Sequence, residues 1–181
     1  MSTKKLILMG GDLASGKSAY SRNIGKKLGV TVINKDIVKE ILGDSFNAGS
    51  REENLKLSVC AFDLICYAIK SSESNLIVES NFKSHEMKIL RALSEGYGYK
   101  VLSLRFTGKD EVLHERFMSR LARKRHYVHK SQDFSDIANF SAALEGLRRV
   151  EYIGKVIEVD STDFEYASDE KLLCEIQDFL K

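Results

Sequence analysis

Residues 11–18 read Gly-Asp-Leu-Ala-Ser-Gly-Lys-Ser, and no other part of the chain restricts its fold as tightly. The pattern is glycine, four residues, then Gly-Lys-Ser/Thr. An apolar run at 5–9 precedes it. A helical pattern at 16–28 follows, with Tyr20, Ile24 and Leu28 spaced by four and Gly29 as the stop. Strand, glycine-bounded turn and helix in that order make a phosphate-binding loop. The glycines let the backbone curl until successive N–H groups converge on phosphate oxygens, and the helix start adds the positive end of its dipole. Gly11, Asp12, Leu13, Ala14, Ser15, Gly16, Lys17, Ser18 and Ala19 are the expected nucleotide contacts. Lys17 is expected to reach the β- and γ-phosphates, and Ser18 to ligate Mg²⁺, so ATP and Mg²⁺ are the expected cofactors.

The remaining chain alternates strand and helix. Strand patterns fall at 30–33, 75–79, 100–106 and 155–160, and helical patterns at 36–42, 52–70, 84–95, 110–123, 135–150 and 168–180. Five short strands interleaved with helices predict an α/β fold around a parallel sheet. The 52–70 helix is expected to bury Leu55, Val59, Phe62, Cys66 and Ile69, and the last helix Leu172, Leu173, Ile176 and Phe179. At 181 residues, with no linker or repeat, the chain reads as one domain over 1–181. Lys plus Arg is 28 and Asp plus Glu is 26, a balance that argues against a histone-like or polybasic nucleic-acid binder. No apolar run approaches the roughly 20 residues of a membrane helix, and the apolar opening is too short for a signal segment, so a cytoplasmic location is expected. The three cysteines form no C-x-x-C pair, and Cys60 and Cys66 read as small buried side chains.

Chemistry beyond the loop concentrates at predicted strand ends, where ligands sit in open α/β sheets. Asp36 follows the second strand. It is placed to take the proton of a substrate hydroxyl, or to cap the next helix. Lys39, one turn on, suits an anionic substrate or a bridge to Asp36. Glu79, with Asn81 two residues on, closes the third strand. Glu79 can hold Mg²⁺ through water, bind substrate hydroxyls or cap the strand end, and Asn81 joins it as a substrate contact. Arg116, Arg120 and Arg123 share one helical stripe beside an apolar stripe of Leu113, Phe117 and Leu121. Residues 116–130 hold six Lys/Arg and two His but no acid, which fits a phosphate-gripping lid better than a solvated face or a nucleic-acid surface. His126 and His129 lack the neighbours that would complete a zinc set.

Together these residues resemble the P-loop kinases of the AAA-type predicted-kinase group. That group includes polynucleotide 5′-hydroxyl kinases, zeta toxins, chloramphenicol phosphotransferase and gluconate-kinase-like enzymes. The resemblance runs from Gly10 to about Asp160 and rests on Gly11-x4-Gly16-Lys17-Ser18, Asp36-x-x-Lys39, Glu79-Ser-Asn-Phe82 and the Arg116/Arg120/Arg123 helix. It implies a P-loop NTPase fold, an adenylate-kinase-like three-layer sandwich with a five-stranded parallel sheet in order 2-3-1-4-5 and a helical lid at about 110–130. It also implies Mg-ATP as donor and Asp36 as base. Asp36-x-x-Lys39 is similar to the Asp-x-x-Arg of polynucleotide kinases, but lysine lacks arginine's bidentate fork. The implied activity is transfer of the γ-phosphate to a hydroxyl of a small molecule. The alternatives are a polynucleotide 5′-hydroxyl kinase and a nucleotide-binding regulatory protein with slow hydrolysis. No motif names the acceptor or the oligomeric state.

Overall fold

Five strands pair in parallel: β1 (Lys4–Gly11), β2 (Thr31–Asn34), β3 (Leu76–Glu79), β4 (Tyr99–Thr107) and β5 (Lys155–Asp160). Their order is β2-β3-β1-β4-β5, as the resemblance implied. The computed structural model describes residues 3–46, 49–122, 126–129 and 134–181. Leu6, Ile7, Leu8 and Met9 in the central strand are all fully buried, as a strand covered on both faces requires. Alternation sends Leu6 and Leu8 into one layer and Ile7 and Met9 into the other.

The first layer is built from α3 (Arg51–Ser71) and α4 (Ser84–Gly96), through Phe62, Ile65, Ile69, Met87 and Leu90. The second is built from α1 (Lys17–Leu28) and α7 (Glu170–Leu180), through Tyr20, Ile24, Leu172 and Ile176. Leu173 and Phe179 pack on that layer only partly buried. The remaining helices are α2 (Lys35–Phe46), α5 (Asp110–Leu121) and α6 (Ile137–Arg148). Among the described residues no helix is long and apolar enough to cross a membrane.

Register sets the site. Met9 lies opposite Glu79, and Glu79 opposite Asn34, so the ends of β1, β3 and β2 stand side by side.

Two packing expectations need correction. Leu55 and Val59 are exposed, because the first half of α3 turns Leu57 toward Val128 and only the half from Ala61 onward faces the sheet. Cys60 falls on the same exposed side, whereas Cys66 is buried; Cys174 is also exposed. The second helix runs to Phe46, one turn beyond the expected 42.

Candidate active site

The loop between β1 and α1 takes the left-handed conformations that its glycines permit. Gly11 has φ +113° and Gly16 φ +85°, and Ala14 joins them at φ 57°. A Cβ on Gly16 would collide with the Tyr166 hydroxyl and the Phe164 ring. Tyr166 fixes the loop by donating to the Ser15 carbonyl at 2.8 Å. Behind it, Tyr20, Phe106 and Tyr166 form an edge-to-face cluster. Lys17 is buried and folds over its own loop, its Nζ donating to the Asp12 carbonyl at 2.5 Å and to Ser15 Oγ at 3.2 Å. Burial pulls its pKa down to about 8, against the opposing pull of Glu79, Asp12 and Asp36.

Asp12 is the loop's anchor. Its N–H donates to the Phe106 carbonyl at 2.7 Å. Its carboxylate, fully buried, takes Arg148 at 2.6 and 3.0 Å and the Gly108 N–H at 3.2 Å. Burial raises its pKa; Arg148 and the Gly108 N–H pull the other way. Arg148 also meets Asp110 at 2.8 Å, so one guanidinium ties the loop to the start of α5 and the end of α6. Leu13 and Ala14 pack on Leu113, Phe117 and Phe140 of the same two helices.

At the end of β2, Asn34 caps the second helix. Its Oδ1 accepts from the Ile37 N–H at 3.0 Å while its Nδ2 donates to Glu79. Asp36 is therefore relieved of capping and lies exposed in the first turn, lining the cleft. Glu79 is buried and bonded to Asn34. Burial raises its pKa, and Lys17 and the nearby Ser18 side chain offset part of that rise. Asn81 lines the same cleft with its Oδ1 buried and without a hydrogen-bond partner. Lys39 is half-buried, its Nζ 3.4 Å from the Val128 carbonyl. Burial lowers its pKa and nearby Asp36 raises it.

The arginine stripe divides. Arg120 is exposed and lines the cleft with Lys17, Ser18, Asp36 and Glu79. Arg116 has partners of its own: its guanidinium donates to the Ser161 and Thr162 carbonyls, both at 2.5 Å, and lies 3.6 Å from the Phe164 ring centroid. It braces the turn after β5 and at the same time lines the cleft. Arg123, with Lys124 and Arg125, lies outside the described residues. The cleft as a whole encloses 820 Å³. Its donor set fits a magnesium nucleotide. The curled loop carries its lysine, and the Ser18 hydroxyl stands against a buried carboxylate. Sequence reading missed Arg148, Asn34 and Phe164; only Asn34 carried a signal, an Asn directly before a helical run.

A model of the AAA domain family matches residues 6–147. No curated protein matches the sequence. Among solved structures, a provisionally assigned kinase from Chloroflexus aurantiacus J-10-fl superposes with a TM-score of 0.83 at 23% identity, over 99% of this chain and 100% of that one. A gluconokinase from Sinorhizobium meliloti 1021 gives 0.57 at 18% identity, over 99% and 93%. A shikimate kinase from Bacteroides thetaiotaomicron gives 0.59 at 14%, over 97% and 98%. These likenesses show a shared P-loop kinase fold.

Proposed function

The chain belongs to the AAA domain family, and on that premise we propose that it is a kinase moving the γ-phosphate of ATP to a hydroxyl of a small molecule. The observation that carries this reading is the convergence of Lys17, Ser18, Asp36, Glu79 and Arg120 on one cleft at the strand ends. The gluconokinase and shikimate kinase among the structural neighbours agree with a small hydroxyl-bearing acceptor.

In this reading the loop amides and Lys17 hold the phosphates. Ser18, backed by Glu79, holds Mg²⁺, which when bound screens charge on the transferred group. Asp36 accepts the acceptor's O–H proton as that oxygen bonds to phosphorus and the bond to the ADP oxygen breaks. Arg120, from α5, stabilises the equatorial oxygens. Lys39 and Asn81 orient the acceptor; the orphan Asn81 Oδ1 suits a substrate O–H or N–H donor.

Asp36→Asn separates binding from chemistry. MgATP affinity by calorimetry is expected to change less than about threefold, and transfer to fall by roughly 10²–10⁴-fold, the usual weight of a general base. Transfer at the wild-type rate would remove Asp36 from the base's role.

A further inference from the structure

Gly43 stands inside the second helix, where glycine is the poorest helix former after proline. Its neighbours explain its presence. The 3-10 turn Tyr127–His129, which follows the lid helix α5, lies directly across it. The Tyr127 hydroxyl donates to the Gly43 carbonyl. A Cβ at Gly43 would sit 2.6 Å from Val128 Cγ1 and 3.1 Å from the Tyr127 hydroxyl. Val128 is 1% exposed, held against Leu57, and its β-branch leaves it few rotamers to retreat into.

Four further contacts pin the turn. His126 Nε2 is 2.9 Å from Asp44 Oδ1, and His129 Nε2 is 2.8 Å from Glu40 Oε1. The Val128 carbonyl accepts from Asn54 Nδ2 of α3 at 2.9 Å and from Lys39 Nζ at 3.4 Å. The turn therefore grips the helix that carries Asp36 and Lys39, and it supplies an acceptor for the Lys39 ammonium. Phe134, five residues after His129 in sequence, packs on Phe117 and Phe140 beside Ala14 of the phosphate loop.

We propose that the Tyr127–His129 turn is a latch that docks the chain following α5 onto the second helix and so holds that helix, with Lys39 on the turn and Asp36 in the cleft that Arg120 also lines. Gly43, Tyr127 and His129 are positioning residues, and none of them lines the cleft. The docking is a property of the fold. Its catalytic consequence rests on the kinase reading: a lid fastened to the acceptor side closes both substrates in together and shuts out water.

The test compares wild type with Gly43→Ala, Gly43→Leu, Tyr127→Phe and Gly146→Ala. Gly146, a helical glycine in α6 with nothing within 4 Å of a built Cβ, is the control. Alanine and leucine both favour helix, so the Gly43 variants disturb the latch and not the helix that bears it. Two readouts are used: amide hydrogen exchange at Val128 and His129, and the dissociation rate of a fluorescent ATP analogue with Mg²⁺. In the Gly43 variants exchange at both amides is expected to quicken by about tenfold or more while the second helix stays protected. The analogue should leave several-fold faster. Tyr127→Phe should move both readouts the same way, and Gly146→Ala neither. Unchanged exchange in Gly43→Leu would overturn the latch, as would collapse of the second helix along with it. Faster exchange with an unaltered dissociation rate would overturn its role at the site. If wild type does not bind the analogue, the kinase reading fails, while the exchange data still decide the docking.

Discussion

Lys17 shows how burial turns a sequence motif into a tuned group. Its ammonium is buried among loop carbonyls, and its pKa falls to about 8 because desolvation outweighs Glu79, Asp12 and Asp36. An unfolded lysine keeps its proton to about 10.5, so between about pH 8 and 10.5 the unfolded state holds more protons and stability rises with pH. A bound polyphosphate reverses the bias and returns the proton. At pH 8, MgATP binding should take up about half a proton, read as a binding enthalpy that varies with buffer ionisation heat. Lys17→Met should abolish the uptake; uptake undiminished in that variant would place the titrating group elsewhere. The motif announced Lys17, Ser18 and the loop because local spacing alone defines them. It gave no hint that Asp12 is an anchor, since that role depends on Arg148, 136 positions away.

At the scale of elements, Arg148 is the joint between the loop, α5 and α6. Arg148→Met would leave the Asp12 carboxylate buried with the Gly108 N–H as its remaining donor. Removing one partner of a buried pair costs about 3–5 kcal/mol, and urea denaturation should show a loss of that size. A loss below about 1 kcal/mol would mean that Asp12 is not held as an ion pair. The strand and helix alternation was readable because each element carries its own period, and the boundaries shifted by only a residue or two in most cases. The buried face of α3 was not readable. Leu55 and Val59 share a helical stripe with Phe62 and Cys66, but the neighbour that decides burial changes partway along the helix, from the Tyr127–His129 turn to the sheet. Periodicity identifies an apolar stripe and cannot say where its cover ends. The arginine stripe shows the same limit: Arg116 and Arg120 are one turn apart and both line the cleft, yet Arg116 alone is also bonded to the turn after β5.

For the whole molecule, parallel order and register place the ends of β1, β2 and β3 side by side at one edge of the sheet. Residues of the loop, of the ends of β2 and β3 and of α5 line one cleft, which the kinase reading divides into a donor and an acceptor side. Balanced overall charge argues against a long polyanionic strand as acceptor; among the described residues of 116–129, Arg116 is engaged on carbonyls, His126 on Asp44 and His129 on Glu40, while Arg120 stays exposed. The measurement that bears most directly on the proposed activity follows the γ-phosphoryl group itself. Protein, Mg²⁺ and γ-labelled ATP are incubated in parallel with a pooled extract of cell metabolites and with a 5′-hydroxyl oligonucleotide, and the labelled products are separated by mass. The account predicts label on a small hydroxyl compound in the extract, lost with Asp36→Asn. Label on the oligonucleotide, or label released only as inorganic phosphate, would contradict it.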